Sequence, residues 1–356
     1  MPHLRNKIGQ MLIMGFAGYE INEDSPIAEW LKTDGLGGVL LFDFDVAANQ
    51  FGKNLRDQEQ IITLNRQLVS YANANPSEYN LPLYIALDYE GGVVDRLAAV
   101  PGCMSTVRPC DQALLSDEDL YQEAKKMALT LKKLGFNLNF APVVDLNLNE
   151  NEGIIGKLGR SFSSEPEEVV RAARQFVHAF NEEGIICTYK HFPGHGSAVG
   201  DTHLGFVDVT EHYHDNELYP YARLFTNNTP AMVMTAHVVN RQLDASGIPA
   251  TLSYSILTDL LRHKLGFTGV VISDDLQMKA ISEYYALDDA LRMTINAGAD
   301  MLIFGNQLGQ ISAAHVIDKI EQLVRAGDIP VARIEEAYGR ISRLKQAHHT
   351  GAVLTP

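Results

Sequence analysis

A dense polar cluster lies between residues 190 and 203 of this 356-residue chain. The segment Lys190-His191-Phe192-Pro193-Gly194-His195-Gly196 follows an apolar run that ends at Cys187, and Asp201-Thr202-His203 comes a few residues later. Turn chemistry explains the glycines and the proline. Packing does not explain a lysine and three histidines gathered where a strand should end. We therefore interpret this segment as part of a functional site.

Charged residues elsewhere in the chain narrow the chemistry. Neither a phosphate-binding GxxxxGK[ST] pattern nor a GxGxxG pattern is present. Carboxylates and cations are available together with the histidines, at Asp88, Asp201, Asp274, Arg96, Arg160 and Lys190. This set favours hydrolysis or group transfer without a nucleotide, and it suggests no cofactor.

Cleavage of a glycoside with retention is one reaction that such a set can perform. It needs a carboxylate that attacks the anomeric carbon and, about 5–5.5 Å away in the usual carboxylate pair, a second group that exchanges a proton with the leaving oxygen. Asp274 is placed for the first role. An imidazole, whose unperturbed pKa is about 6.5, can hold and release a proton near neutrality. His203 could serve in this way, with Asp201 orienting its ring.

The pattern of apolar residues predicts the elements that must position these groups. Short β-rich runs alternate with segments of helical periodicity, and the runs are nearly continuous, as is typical of parallel strands covered on both faces. Ser164-Glu165-Pro166-Glu167 predicts a capping box at a helix start. We predict strands near residues 10–16, 38–42, 83–88, 138–143, 187–192, 231–238, 269–274 and 301–305, and helices near 54–73, 120–134, 167–183, 254–265, 286–297 and 312–325.

This alternation predicts the α/β class and a single (β/α)8 TIM barrel. Residues 1–356 would form one catalytic domain, with a C-terminal helix at about 331–348 packed on the outside. Active sites in this fold lie at the C-terminal ends of the strands. Polar residues come there one after another, at Asp88, Asp145, Lys190, His191, His237, Asp274 and Asn306. Taken singly, Asp145 and Asn306 are also explained as capping or loop residues.

Composition restricts the partners. With 29 Lys plus Arg against 44 Asp plus Glu, the net charge of −15 opposes nonspecific binding to nucleic acid or to anionic membranes. A small molecule or a carbohydrate is favoured. The three cysteines have no CxxC spacing and suit a reducing compartment, and no apolar run could span a bilayer. We expect a cytoplasmic protein, and a monomer because no exposed apolar heptad stands out.

Six sequence motifs carry a family resemblance. They span most of the chain: Gln10 to Phe16, Asp88-Tyr89-Glu90-Gly91-Gly92, Gly159-Arg160-Ser161-Phe162, Lys190 to Gly196, Asp201-Thr202-His203, and Ser273-Asp274-Asp275-Leu276-Gln277-Met278. Together they resemble glycoside hydrolase family 3, specifically its bacterial β-N-acetylglucosaminidase branch. That branch removes terminal N-acetylglucosamine from muropeptides in peptidoglycan recycling.

The resemblance implies a role for each matching residue. Asp274 would be the nucleophile that forms a covalent glycosyl-enzyme, with Asp275 structural. His203 and Asp201 would form the general acid/base dyad. Independently of the resemblance, the glycines and small residues of their loop, from Gly194 to Gly200, predict that it moves and brings the dyad in only when sugar is bound. The remaining matches would bind the hydroxyls of the sugar, at Asp88, Arg96, Arg160, Lys190 and His191. No metal is implied.

The sequence also departs from the family pattern. Tyr89 and Val93 stand where the branch commonly has Gln and Arg, although Arg96 keeps the expected offset from Asp88. These changes put fine substrate preference in doubt. The chain ends soon after the barrel, so we expect no second α/β domain like that of larger members.

Other functions stay open at this stage. Within the family, the enzyme could release sugar to phosphate instead of water, or it could prefer another sugar. A metal-dependent barrel hydrolase is a more remote alternative, with ligands among His191, His195, His203, His237 and Asp274. A barrel that binds sugar without cleaving it is the last alternative.

Overall fold

A computed structural model describes residues 2–200, 205–227 and 229–350. Eight parallel strands close into a barrel in which the last strand pairs with the first. These strands are β1 Leu12–Gly15, β2 Gly38–Leu40, β3 Tyr84–Leu87, β4 Leu138–Asn139, β5 Ile186–Phe192, β6 Ala231–Thr235, β7 Val271–Asp275 and β8 Met301–Phe304. The predicted (β/α)8 barrel is confirmed, and every predicted strand is present.

Helices surround the barrel. The main ones are α1 Pro2–Gln10, α2 Pro26–Glu29 with its continuation Trp30–Asp34, α3 Gln58–Asn73, α4 Asp117–Leu134, α5 Pro166–Glu182, α6 Tyr219–Leu224, α7 Ser255–Lys264, α8 Leu287–Ala297, α9 Ala313–Ala326 and α10 Val331–Thr350. The segments Trp30–Asp34 and Ser255–Lys264 are π-helical, and single helical turns lie at Pro109–Gln112, Ile154–Lys157 and Lys279–Ser282. The sequence did not predict these three turns. Sequence analysis missed α1, α2 and α6. The α2 segments and α6 are shorter than the windows in which helical periodicity is readable. Within the described residues, no helix has an apolar stretch long enough to cross a membrane.

Local sequence explains where several helices begin and end. The side chains of Asp57, Ser116 and Ser312 each accept a bond from a backbone N–H of the first turn of α3, α4 and α9. Gly135 and Gly327 end α4 and α9 with positive φ, a conformation that costs glycine little.

The predicted capping box at α5 is wrong. Its N-cap residue is Glu165, which makes no side-chain cap, and Pro166 occupies the first helical position. Proline has no N–H to satisfy and its φ already suits the helix, so this start does not need the box.

Strands β1 and β8 pack closely at their C-terminal ends, and α10 closes the opposite, N-terminal end of the barrel, which we call the floor. A Cβ on Gly15 would lie 1.9 Å from the Gly305 carbonyl oxygen, so only glycine lets β1 approach β8 there. At the floor, α10 sends Lys345 inward, where it is 2% exposed. Its Nζ donates to Gln10 Oε1 at 3.0 Å and to the Gly37 carbonyl at 2.7 Å. This floor is far from the strand ends at which a barrel carries its chemistry.

Candidate active site

Two bulges turn side chains toward the C-terminal mouth of the barrel. Between one pair of partners and the next, β6 advances from Val233 to Thr235 while β5 advances from Tyr189 to Phe192. One extra residue therefore lies in β5, across Lys190 and His191. A second extra residue lies in β7, where Ile272 to Asp275 faces Met301 to Ile303. Bulges re-aim side chains, and they are common at barrel rims.

A cavity of about 300 Å³ opens at this mouth. It brings together the six predicted site residues that the structure describes: Asp88, Arg96, Arg160, Lys190, His191 and Asp274. Apolar side chains form much of the remaining wall, among them Leu40, Phe140, Met234 and Ile303. A concave site with an apolar wall and a few convergent polar groups is typical of a small-molecule site. Tyr89 and Val93, which depart from the family pattern, are not part of its lining.

A buried carboxylate that sequence analysis missed organises the cations. Arg160 donates two bonds to Glu90, from Nε at 2.9 Å and from Nη2 at 2.7 Å, and Lys190 Nζ lies 2.7 Å from Glu90 Oε1. Burial alone would raise the pKa of Glu90, but attraction from Arg160 and Lys190 outweighs it and holds the pKa well below its usual range. Glu90 therefore fixes both cations in place as a carboxylate. The need of buried Arg160 and Lys190 for a counter-charge is the signal that could have identified it.

Asp88 extends this network toward the opening. Lys190 Nζ donates to Asp88 Oδ1 at 3.1 Å, and Arg96 Nη2 lies 3.5 Å from Asp88 Oδ2. Arg96 also reaches Asp43 at 3.5 Å. A carboxylate flanked by two cations can accept bonds from hydroxyls, while the cations donate to other oxygens of the same ligand.

Asp145 is wholly buried and supports the segment that carries His191. It accepts from the backbone N–H groups of His191 and His195 and pairs with His191 Nδ1 at 2.7 Å. Burial would raise the pKa of Asp145, but His191 and its hydrogen bonds lower it. The sequence left two roles open for Asp145, as a member of the active site or as a capping or loop residue. The structure supports the second, because the hydrogen bonds of Asp145 hold the end of β5. Asn306 likewise holds a loop, since its Nδ2 donates to the carbonyls of Gly15 and Ile311.

The backbone around Asp274 is tied to the neighbouring strand. Its N–H points to Thr235 Oγ1 at 3.4 Å, and its Oδ1 accepts from Asp275 N–H at 2.8 Å. His237 Nε2 lies 2.9 Å from the Asp275 carbonyl, which can only accept, so this nitrogen carries the proton. His237 thus supports the Asp274-Asp275 bulge from β6.

The two residues predicted as the acid/base dyad, Asp201 and His203, lie outside the described residues. The segments on either side of them are described. Ala198 and Val207 are buried in one small apolar cluster, and Gly200 pairs with Gly153.

Two of the side chains considered as metal ligands have other partners in the structure. No group of three or more His, Cys, Asp or Glu side chains that could hold an ion is formed among residues 2–200, 205–227 and 229–350. His191 instead pairs with Asp145, and His237 with Thr251 and the Asp275 backbone.

Comparisons with known proteins identify the family of the chain. The family model for the glycosyl hydrolase family 3 N-terminal domain matches residues 3–344. β-Hexosaminidase A of Pseudoalteromonas piscicida is 33% identical over 90% of this chain, which spans only 54% of that relative's length. The β-hexosaminidase of Tolumonas auensis is 32% identical, with 87% of this chain and 86% of the relative covered.

Solved structures give the same result. A family 3 β-N-acetylglucosaminidase from Paenibacillus sp. str. FPU-7 superposes with a TM-score of 0.84 at 30% identity, covering 99% of this chain and 64% of that one. Mycobacterium tuberculosis LpqI superposes with a TM-score of 0.80 at 28% identity, covering 96% and 93% of the two chains. The chain therefore belongs to glycosyl hydrolase family 3.

Proposed function

We propose that the protein is a retaining exo-β-N-acetylglucosaminidase. The observation that carries this proposal is the cavity that Asp274 of β7 lines together with Asp88, Lys190 and Arg160. Ion pairs with Glu90 and Asp88 join these two cations into one network. The choice of N-acetylglucosamine as the sugar is supported by relatives named β-hexosaminidase and by a structural neighbour named β-N-acetylglucosaminidase. The cavity is small, which suits recognition of one terminal sugar.

In this proposal the charged network holds the sugar. Asp88 accepts bonds from hydroxyls, and Arg160, Lys190 and Arg96 donate to the ring substituents. His191, fixed by Asp145, adds a further polar contact. Glu90 does not touch the substrate, but it holds Arg160 and Lys190 at their positions so that no ordering is needed when the sugar arrives.

The reaction would follow two displacements at the anomeric carbon. Asp274 attacks that carbon while the bond to the leaving oxygen breaks, and the leaving oxygen takes a proton from His203. His203 then removes a proton from water, the water oxygen attacks the anomeric carbon, and Asp274 leaves as a carboxylate. Asp201 would orient the imidazole and stabilise its protonated form.

The first test is hydrolysis of a chromogenic β-N-acetylglucosaminide beside the matching β-glucoside. We expect turnover of the N-acetyl substrate by the wild type, and loss of kcat by about 10³-fold or more in Asp274→Ala. For His203→Ala, we expect kcat to fall by about 10²–10⁴-fold on substrates with poor leaving groups. Full activity of Asp274→Ala would overturn the proposal.

The physiological setting is part of the same proposal. We propose muropeptides as the source of the sugar and the cytoplasm as the compartment, supported by the family branch and by the free cysteines Cys103, Cys110 and Cys187. We also propose a monomer. Adding inorganic phosphate to the assay separates the alternatives of hydrolysis and phosphorolysis, because only phosphorolysis yields a sugar 1-phosphate.

A further inference from the structure

Glu217 is a buried carboxylate outside the network of charges that lines the cavity. It lies on the short helical turn Asp215–Leu218, between β5 and α6, and is 0% exposed. Within the described part of the chain it takes part in no ion pair. Burying a carboxylate in this way is costly unless its oxygens are hydrogen-bonded. We therefore expect a function for Glu217, and the contacts of its two carboxylate oxygens indicate which one.

Both oxygens of Glu217 hold the turn that follows β5. Oε2 accepts from the Gly196 N–H at 2.8 Å, and Oε1 accepts from the Ser197 hydroxyl at 2.6 Å. On the other side, Asp145 accepts from the His195 N–H at 2.9 Å. Two carboxylates thus hold consecutive residues of the same turn. This pair of contacts gives the turn little freedom to shift.

Gly194 allows Glu217 to approach this closely. A Cβ at Gly194 would lie 2.6 Å from Glu217 Cβ and 2.7 Å from its Oε2, and the φ of Gly194 is +132°. No other residue could occupy this position without moving Glu217. Glycine at position 194 is therefore required both by the positive φ of the turn and by the close approach of the Glu217 side chain.

The turn leads directly into the segment that carries Asp201 and His203. Ala198 comes one residue after Ser197 and is buried against Val207, on the far side of that segment. Asn149 Nδ2 donates to the Ala198 carbonyl at 3.2 Å. The position at which the segment begins is thus set by Glu217, Asp145 and this small cluster.

We infer that Glu217 is a positioning residue for the acid/base pair: it fixes the origin of the segment that delivers His203 to the leaving oxygen. This inference rests on the proposed roles of His203 and Asp201. A general acid must come within hydrogen-bonding distance of the atom it protonates, and small displacements of such groups are expensive in rate. Loss of Glu217 should therefore impair proton transfer more than sugar binding.

Leaving-group dependence tests this inference. Wild type, Glu217→Ala, Glu217→Gln, Ser197→Ala and His203→Ala are assayed on a β-N-acetylglucosaminide with an alkyl aglycone and on one with a dinitrophenyl aglycone. Only the alkyl substrate needs protonation in the first displacement. For Glu217→Ala we expect kcat/KM on the alkyl substrate to fall by about 10-fold or more, with a much smaller loss on the dinitrophenyl substrate. Glu217→Gln keeps an acceptor oxygen for Gly196 and should lose less than Glu217→Ala.

The controls separate positioning from general structural damage. Inhibition by free N-acetylglucosamine, measured on the same samples, should be nearly unchanged because its proposed contacts come from other residues. Equal losses on both substrates, or no loss on either, would overturn the inference. If His203→Ala shows no leaving-group dependence, the proposed acid/base role fails instead. If the loss of kcat/KM depends on the leaving group in His203→Ala but not in Glu217→Ala, the acid/base role of His203 stands and only the inference about Glu217 is rejected.

Discussion

Two glutamates show how the environment gives the same side chain opposite properties. Glu90 lies between Arg160 and Lys190, whose charges hold its pKa well below the usual range against the effect of burial. Glu217 is buried mainly among neutral donors, and burial raises its pKa to about 7. Glu90 is thus a permanent counter-charge, whereas Glu217 titrates near neutrality.

The raised pKa of Glu217 predicts a dependence of stability on pH. The group binds its proton more tightly in the folded protein, so its contribution is present below the unfolded pKa of about 4.5 and is lost as pH rises toward 7. Besides burial, the negative charge of Asp145 also raises the pKa of Glu217, whereas the hydrogen bonds from Ser197 and the Gly196 N–H lower it.

Glu217→Gln removes this titration. Relative to the wild type, we expect the variant to gain stability between pH 5 and pH 8, by up to about 3 kcal/mol in the free energy of unfolding. Urea unfolding at both pH values measures the difference. A difference between variant and wild type that is constant with pH would show that Glu217 titrates normally.

The Glu90 network predicts a strong asymmetry between substitutions. Glu90→Ala leaves Arg160 and Lys190 buried without a counter-charge and should cost about 3–5 kcal/mol of stability. Arg160→Lys keeps the charge but loses the two-bond contact with Glu90, so it should raise KM while costing less stability. Denaturant unfolding and steady-state kinetics of both variants check this; equal stability losses would contradict it.

The sequence predicted the residues that line the cavity but not the buried residues that hold them in position. Asp88, Arg96, Arg160, Lys190, His191 and Asp274 were predicted from motifs and strand ends, and all of them line one cavity. Glu90 and Glu217 were not predicted as supporting residues because their partners are distant in sequence, at Arg160 for Glu90 and at Gly196 for Glu217. Which carboxylate reaches which partner is decided by the packing of whole strands and turns.

At the scale of elements, the site depends on irregularities in regular strands. A one-residue bulge in β5 lets neighbouring Lys190 and His191 both line the cavity, and another in β7 presents Asp274. Alternating side chains in an undisturbed strand would point one of the two away. Apolar periodicity predicts where strands lie but does not predict where an extra residue is inserted.

Gly194 offers a test of the turn that follows β5. Gly194→Ala would be strained by its φ of +132° and would bring Cβ within 2.7 Å of Glu217. Gly18, with φ +123° and its nearest atom 3.4 Å from the Cβ position, is a matched control for strain without close contact. We expect Gly18→Ala to cost about 1–3 kcal/mol of stability, and Gly194→Ala to cost about 1–3 kcal/mol more. If thermal unfolding showed similar losses of stability in the two variants, the Glu217 side chain would be able to move away from the added Cβ at little cost.

At the scale of the whole molecule, the barrel separates stability from chemistry. The cavity opens at the C-terminal ends of the strands, whereas the opposite end is sealed by α10 through Lys345. Burial holds the pKa of Lys345 well below its usual value. Groups at this floor can contribute to folding without touching the reaction.

Lys345→Met tests this separation. Methionine fills similar volume but removes the Lys345 hydrogen bonds to Gln10 Oε1 and to the Gly37 carbonyl, which keeps only its bond from the Tyr84 N–H, so we expect a loss of about 1–3 kcal/mol in stability. The kcat per folded molecule should stay within about twofold of the wild type, because Gln10 and Gly37, the hydrogen-bond partners of Lys345, do not line the cavity. A large fall in kcat at a temperature where the variant is fully folded would show that the floor is coupled to the mouth.

The most direct test of the proposed reaction is to trap its covalent intermediate. A 2-position-modified, activated β-N-acetylglucosaminide analogue that slows the second displacement is incubated with the protein, and the digested product is mapped by mass spectrometry. We predict one added glycosyl group on the peptide that contains Asp274, and no adduct in Asp274→Asn. An adduct on another carboxylate, or release of the inverted anomer from the normal substrate, would contradict the assignment of Asp274 as the nucleophile of a retaining glycosidase.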